Sequence, residues 1–349
     1  MHRVHLLRPA ALAALLLWGC AAHGVQPAAV PYPNTEGFGV EFEKSEDWYR
    51  HCMRVAHLGQ GAPPPAPRPR SERCDATGLY YLKRDQETTS RAEWRQVRAC
   101  ARASGDDAVL MMLYANGYGV ARDADRAIHH ACRLDTAKAE MEGRVAYLAS
   151  NAAAHDAQPF DLCDHITSGR MGGVCAGIRE GRDERVRNAR LERFAAALPA
   201  AARRPFARLR KAAEAFAEQS AGEVDMTWTG AARFVVDGVA RRKNEFLETL
   251  LHTAQGKLAR ASAAELAQLD RQLDAAYRKL MATATGQDGH PERIGNSTVT
   301  RKDVRATERA WLAYRDAWAP FIAVAGLSTD ALSIKAALTR QRIAQLARI

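Results

Sequence analysis

Six cysteines, Cys52, Cys74, Cys100, Cys132, Cys163 and Cys175, are the residues best placed to do chemistry, and a seventh, Cys20, stands apart near the N-terminus. An even set in an oxidising compartment predicts three disulfides. The spacing leaves the connectivity open; joining nearest neighbours gives Cys52 to Cys74, Cys100 to Cys132 and Cys163 to Cys175. The C-x-x-C pairs of a zinc site are missing, so no metal site is expected. Cys163, Asp164, His165 and Cys175 have the look of a loose thiol or metal cluster. The simpler reading is a disulfide clipping a loop with Gly169, Gly172 and Gly173 at its tip. His129 and His130 are neighbours on a helix and project about 100° apart, poor geometry for one metal, so they are expected at the surface. Ser333 and Lys335 imitate a Ser–Lys dyad, but residues two apart on a helix do not face each other. H-E-x-x-H, G-x-S-x-G, P-loop and G-x-G-x-x-G patterns are all missing, and no catalytic residue or cofactor is predicted. An unrecognised cell-wall hydrolase would need two carboxylates facing each other across a cleft.

Paired thiols require export, and the N-terminus supplies the signal. His2, Arg3 and Arg8 precede the apolar run Ala10 to Trp18, which is too short to span a bilayer and reads as a signal peptide over residues 1–19. Leu17, Trp18, Gly19 and Cys20 resemble the bacterial lipobox, which implies lipidation at Cys20 and an anchor on the periplasmic face of a cell envelope. Ordinary cleavage near Ala22 to Gly24 is the alternative. The net charge of +10 comes from 50 basic residues against 40 acidic ones, and 41 of the basic residues are Arg. They are spread along the chain, so most solvate helix faces; anionic partners such as lipid headgroups or cell-wall polymers stay open. Nucleic acid is not an expected partner of an exported chain.

These cysteines must be positioned by helices, since no useful stretch alternates with period two. Residues 20–41 carry Gly, Pro and small residues without periodicity and are expected to be a flexible, lipidated tether. A helical repeat region is expected over 42–155. It starts with a short helix from Ser45 to Leu58, capped by Ser45, and contains a Pro-rich loop at 59–69. Leu79, Tyr80 and then Ala99, Cys100 echo as Leu113, Tyr114 and then Ala131, Cys132, implying two helical hairpins. Residues 106–132 resemble a Sel-one-like repeat, the short relative of the tetratricopeptide repeat. Leu113, Tyr114, Gly117, Gly119, Val120, Asp123, Ala127 and Ala131 fall on its signature. Gly117 and Gly119 suit positive backbone dihedrals in the turn.

From 156 to 349 the stripes lengthen into a bundle of amphipathic helices. Phe206, Leu209, Ala213 and Phe216 mark one helix, with Pro205 near its first turn; Val235, Val239, Phe246 and Leu250 mark a second. Leu266, Leu269, Leu273, Tyr277 and Leu280 mark a third, and Val304, Thr307, Trp311, Tyr314 and Trp318 a fourth. The last carries Leu332, Ala336, Thr339, Ile343 and Leu346, and the polar stretch from Thr285 to Thr300 is expected to be a mobile loop. The fold class is therefore all-α: a short helical-hairpin repeat region followed by an amphipathic bundle, stapled by disulfides.

Three separated blocks in the bundle carry a second resemblance. LAQLDRQLDAAYRKLM, TERAWLAYRDAW and TRQRIAQL resemble, in order, the LprI-type domain named for a lysozyme-inhibiting lipoprotein, and the LprI-like block is placed at 260–349. The matching positions are Asp270, Leu273, Tyr277, Leu280, Met281, Ala310, Trp311, Tyr314, Arg315, Asp316, Thr339, Arg342 and Ile343. Glu308 stands where that family commonly has Gln, and the Cys often found after the Tyr-Arg-Asp block is missing. The rings are expected mainly in a core, with Asp270, Arg315, Asp316 and Arg342 building one ion-pair network between helices. The resemblance implies a non-enzymatic envelope lipoprotein that binds or inhibits a lysozyme-like muramidase. The competing reading is an envelope adaptor that recruits another exported protein through its helical repeats. Lysozyme is itself basic, which sets long-range electrostatics against capture by a chain of charge +10.

Overall fold

The computed structural model describes residues 30–59, 74–150, 158–287 and 289–349. The expected signal peptide, Cys20 and nearly all of the Pro-rich loop lie outside them. The described chain is all-α, with no strand beyond the isolated bridges Thr285 to Gly295 and Arg293 to Thr300.

The first core gathers α1 (Asp47–Val55), α2 (Ala76–Arg84), α3 (Arg91–Ser104), α4 (Asp107–Asn116), α5 (Ala124–Ala131) and α6 (Lys138–Ala149). In α4 every residue from Val109 to Asn116 is buried, because the sequence DAVLMMLYAN is apolar all round and α2, α3 and α5 pack against it. The two expected hairpins are α2–α3 and α4–α5. Ser90 and Glu93 form a capping box at the start of α3, Asp106 caps α4 and Asp123 caps α5. Gly117 closes α4 at φ +73°, and a Cβ on Gly119, at φ +67°, would lie 2.4 Å from that of Trp94. Glu46 and not Ser45 stands at the N-cap position of the first helix, without a side-chain capping bond, since α1 starts only at Asp47.

The disulfides join Cys52 to Cys132, Cys74 to Cys100 and Cys163 to Cys175. Two of the three nearest-neighbour pairings are thus corrected. The α2–α3 hairpin returns Cys100 to Cys74, and α1 packs on α5 and α6, which brings Cys52 to Cys132 across 80 residues. The tether expectation for 20–41 also fails from Tyr32 onward. Tyr32 stacks on His129 at 5.3 Å, the Asn34 amide donates to Cys132 O at 2.8 Å, and Phe38 is buried against Trp48. Aromatic residues in that stretch have a core to enter, so the chain is held down there.

Phe160, Leu162, Met171 and Cys175 also belong to the first core, so it extends past the boundary expected at 155/156. Asn116 secures this extension, donating through Nδ2 to Phe160 O and accepting the Phe160 amide at Oδ1, both at 2.8 Å. Gly169, Gly172 and Gly173 are not at a loop tip; they open α7 (Gly169–Ala197), whose first turns pack on the start of the helix Ala231–Ala254, α9. A Cβ at Gly169 would lie 2.5 Å from Gly230 N, which is why the two segments approach only on glycine. Glu140 joins α6 to α7: it is fully buried and accepts the Thr167 and Ser168 amides at 2.9 and 2.7 Å, with Thr136 Oγ1 donating as well. Burial alone would raise its pKa, but these donors outweigh it and hold the carboxyl at about 2, against an ordinary 4.5. A depressed pKa stabilises the fold above about pH 4.5 and loses that contribution as pH falls toward 2. Glu140→Gln should therefore flatten the acid limb of stability measured by urea unfolding; an unchanged limb would place the acid sensitivity elsewhere.

The second core takes the far end of α7, with α8 (Ala200–Gln219), α9 (Ala231–Ala254), α10 (Ala263–Met281), α11 (Arg301–Ala325) and α12 (Ala331–Leu346). Helices α8 and α11 lie along each other and interleave rings, Phe206 on Phe321 at 5.5 Å and Phe216 on Tyr314 at 5.7 Å. Trp311 and Trp318 are almost wholly buried, as their spacing predicts. Pro205 sits in the second turn of α8, because the helix starts earlier than expected, after Pro199. Leu332 is 42% exposed and off the core face of α12. The described residues of the segment 285–300 are tied down and not loose. Ile294 and Val299 are buried, and the Arg301 guanidinium donates to the carbonyls of Met281, Thr283, Pro291 and Arg293.

Candidate functional site

Ser262 and Glu265 form a capping box that starts α10, and the helix then packs along α12, with only Leu273 fully buried. Its outer flank faces α11 across a groove of about 410 Å³. Asp270, Leu273, Asp274 and Tyr277 form one wall; Arg305, Glu308, Arg309, Leu312 and Arg315 form the other. Spacings of three and four along each helix put these side chains on one stripe.

The groove is amphipathic and its charges are only partly matched. Arg315 Nη1 donates to Asp270 Oδ1 at 2.9 Å, and its guanidinium lies 4.8 Å from the centre of the Trp311 ring. Arg305 reaches Glu292 at 3.3 Å. Asp274 and Arg309 make no ion pair among the described residues. Leu312 is 38% exposed and Tyr277 is half-buried, so the groove offers two apolar surfaces between unneutralised charges of both signs.

Asp270, Leu273, Tyr277 and Arg315 reach the groove; the other motif positions lie elsewhere. Trp311 and Tyr314 are core, Leu280, Met281, Ala310 and Ile343 pack half-buried at its edge, and Thr339 is buried with its hydroxyl on Lys335 O at 2.8 Å. Asp316 is exposed and lies 3.6 Å from Lys335. Arg342 is fully buried between Glu223, at 2.6 Å, and Glu308, at 2.9 Å. The single expected network is therefore three separate pairings, since neighbours such as Arg315 and Asp316 leave a helix in different directions. Residues 252–346 match the family model described as lysozyme inhibitor LprI. Both walls of the groove fall inside this LprI span. Glu223 does not: it sits on the 3-10 turn Ser220–Glu223, outside any recognised motif, and nothing local in the sequence marks it as a partner of Arg342. The LprI span also relies on upstream helices for its core, through Phe206, Phe216 and Phe246. No curated protein and no solved structure matches the chain.

In the stretch expected to be a repeat region, the residues on the expected signature hold architecture. Leu113, Tyr114, Ala127 and Ala131 are buried, and Val120 is half-buried beside them. His129 and His130, expected at the surface, are enclosed because α5 is covered by α4 on one side and α1 on the other. His129 is buried with Nδ1 3.2 Å from Val55 O, and burial lowers its pKa; His130 Nδ1 lies 2.8 Å from Asp107. Cys163 and Cys175 are joined, and no group of three metal-ligating side chains is assembled among the described residues.

Proposed function

We propose that the chain is a non-enzymatic, exported binding protein whose LprI-like span captures a lysozyme-like muramidase through the groove between α10 and α11. The carrying observation is that the family match covers both walls of the groove and that four of the motif residues line it. A groove that pairs exposed Leu312 and Tyr277 with uncommitted Asp274 and Arg309 has the composition of a recognition surface, with apolar anchors and charges that set orientation. Asp274 also gives a basic lysozyme a local acidic contact that the net charge of the chain denies it. Export by the leader at 1–19, an acyl anchor at Cys20 and a Sel-one-like spacer at 42–155 complete the reading.

The test is lysozyme turnover of cell-wall substrate with the whole chain added. Inhibition should appear at micromolar excess, and Asp274→Lys with Leu312→Glu should weaken it at least tenfold, as expected for removing about 1–2 kcal/mol of contact. Absence of inhibition by the unaltered chain removes the reading, and equal inhibition by the double variant moves the contact off this groove.

A further inference from the structure

A different pocket, of about 450 Å³, opens where the first turns of α9 meet the end of α12. Arg233, Arg241, Arg242 and Arg348 line it. Its acidic residues are engaged: Glu223 holds Arg342 at 2.6 Å, Asp237 takes Arg179 at 2.9 Å, and Asp225 accepts the Thr227 and Thr298 amides at 3.1 and 3.0 Å. Two of its four cations are engaged as well, Arg233 with Asp237 at 3.7 Å and Arg242 with Glu245 at 3.1 Å. The Arg242 side chain is only 9% exposed, and its Nη1 meets the Glu245 carboxylate as an ion pair without hydrogen-bond alignment. Arg241 and Arg348 are exposed and form no ion pair among the described residues. Two guanidinium groups, those of Arg241 and Arg348, therefore face the pocket without a counter-charge and are free to take an anionic oxygen.

Its rim is apolar. Phe234 lines the pocket at 49% exposure with Arg233 stacked 5.3 Å from its ring, and the loop leading into α9 leaves Met226 48% and Trp228 72% exposed. Aromatic side chains beside arginines suit a membrane interface, where rings enter the headgroup layer and guanidinium groups meet phosphates. We propose that this pocket binds the phosphate of an anionic phospholipid at a membrane surface, with Arg241 and Arg348 taking its oxygens while Phe234 and Trp228 enter the interface. An acidic peptide would satisfy the arginines but leave Trp228 and Met226 in water.

The experiment is co-sedimentation of the whole chain, carrying Cys20→Ser so that no acyl anchor forms, with phosphatidylcholine vesicles and with mixed phosphatidylcholine–phosphatidylglycerol vesicles. The excess binding to the anionic vesicles is read, so that any contribution of the leader cancels between variants. Arg241→Ala with Arg348→Ala, both exposed and outside the packed cores, should cut that excess roughly 30-fold. Trp228→Ala should weaken it too, and Trp228 in the unaltered chain should shield from aqueous quenchers when vesicles bind. An excess that the arginine pair does not change overturns the proposal. Full competition by inorganic phosphate or by polyglutamate, without any vesicle excess, assigns the pocket to a soluble anion or an acidic peptide and overturns the lipid.

Discussion

Replacing Cys52 and Cys132 together by alanine should cost the first core roughly 4 kcal/mol, more than the same change at either other bridge. Closing a longer loop removes more freedom from the unfolded chain, and the three loops differ, with separations of 80, 26 and 12 residues. The expected order of losses is therefore Cys52–Cys132, then Cys74–Cys100, then Cys163–Cys175. The longest bridge also holds a segment that no other covalent bond secures, since Tyr32 Oη donates to Cys52 O and the Asn34 amide to Cys132 O. Denaturant unfolding followed by fluorescence measures the loss, and peptide mapping without reductant measures the connectivity. A recovered Cys52–Cys74 link would contradict the packing of α1 on α5, and a loss at Cys163–Cys175 exceeding that at Cys52–Cys132 would contradict the entropic ordering.

Those bridges also mark where the sequence could be read and where it could not. Helices announce themselves by local spacing, so the stripe of Phe206, Leu209, Ala213 and Phe216 and that of Trp311, Tyr314 and Trp318 were legible and are buried together. Pairing of cysteines depends on which helices lie side by side, and nothing local reports that. Tyr32 and Phe38 were read by their Pro- and Gly-rich neighbours, although two rings in such a segment are themselves a sign of packing. The groove was legible in part: the LprI-type blocks name Asp270, Leu273, Tyr277 and Arg315, but Arg305, Arg309 and Leu312 join it only through the relative rotation of α10 and α11. Glu308 departs from the pattern of the LprI-type blocks, and its physical meaning, a carboxylate for a buried guanidinium, emerges only in the fold.

Arg342→Met should cost about 3–5 kcal/mol, because removing one member of a buried ionic group leaves its partners charged and unmatched. Arg342 has no exposed surface, Glu223 retains 8% and Glu308 14%, so water cannot replace the lost guanidinium. Both Nη atoms donate to Glu223, at 2.9 and 2.6 Å, while Nε donates to Glu308 at 2.9 Å. Glu308→Gln should cost less than the Arg342 change, since an amide oxygen can still accept from Nε. Replacing Arg342, Glu223 and Glu308 together by Met, Leu and Leu should recover much of the loss, as apolar packing removes the desolvation that the triad has to offset. Recovery would assign the triad to architecture, and it carries a further consequence: Glu223 lies outside the matched span, so residues 252–346 on their own would strand Arg342 with half its counter-charge and lose the Phe216 ring over which it lies. A fragment confined to that span should therefore unfold at lower denaturant than one starting before α8, and equal stability of the two would show that Arg342 finds its partner within the span.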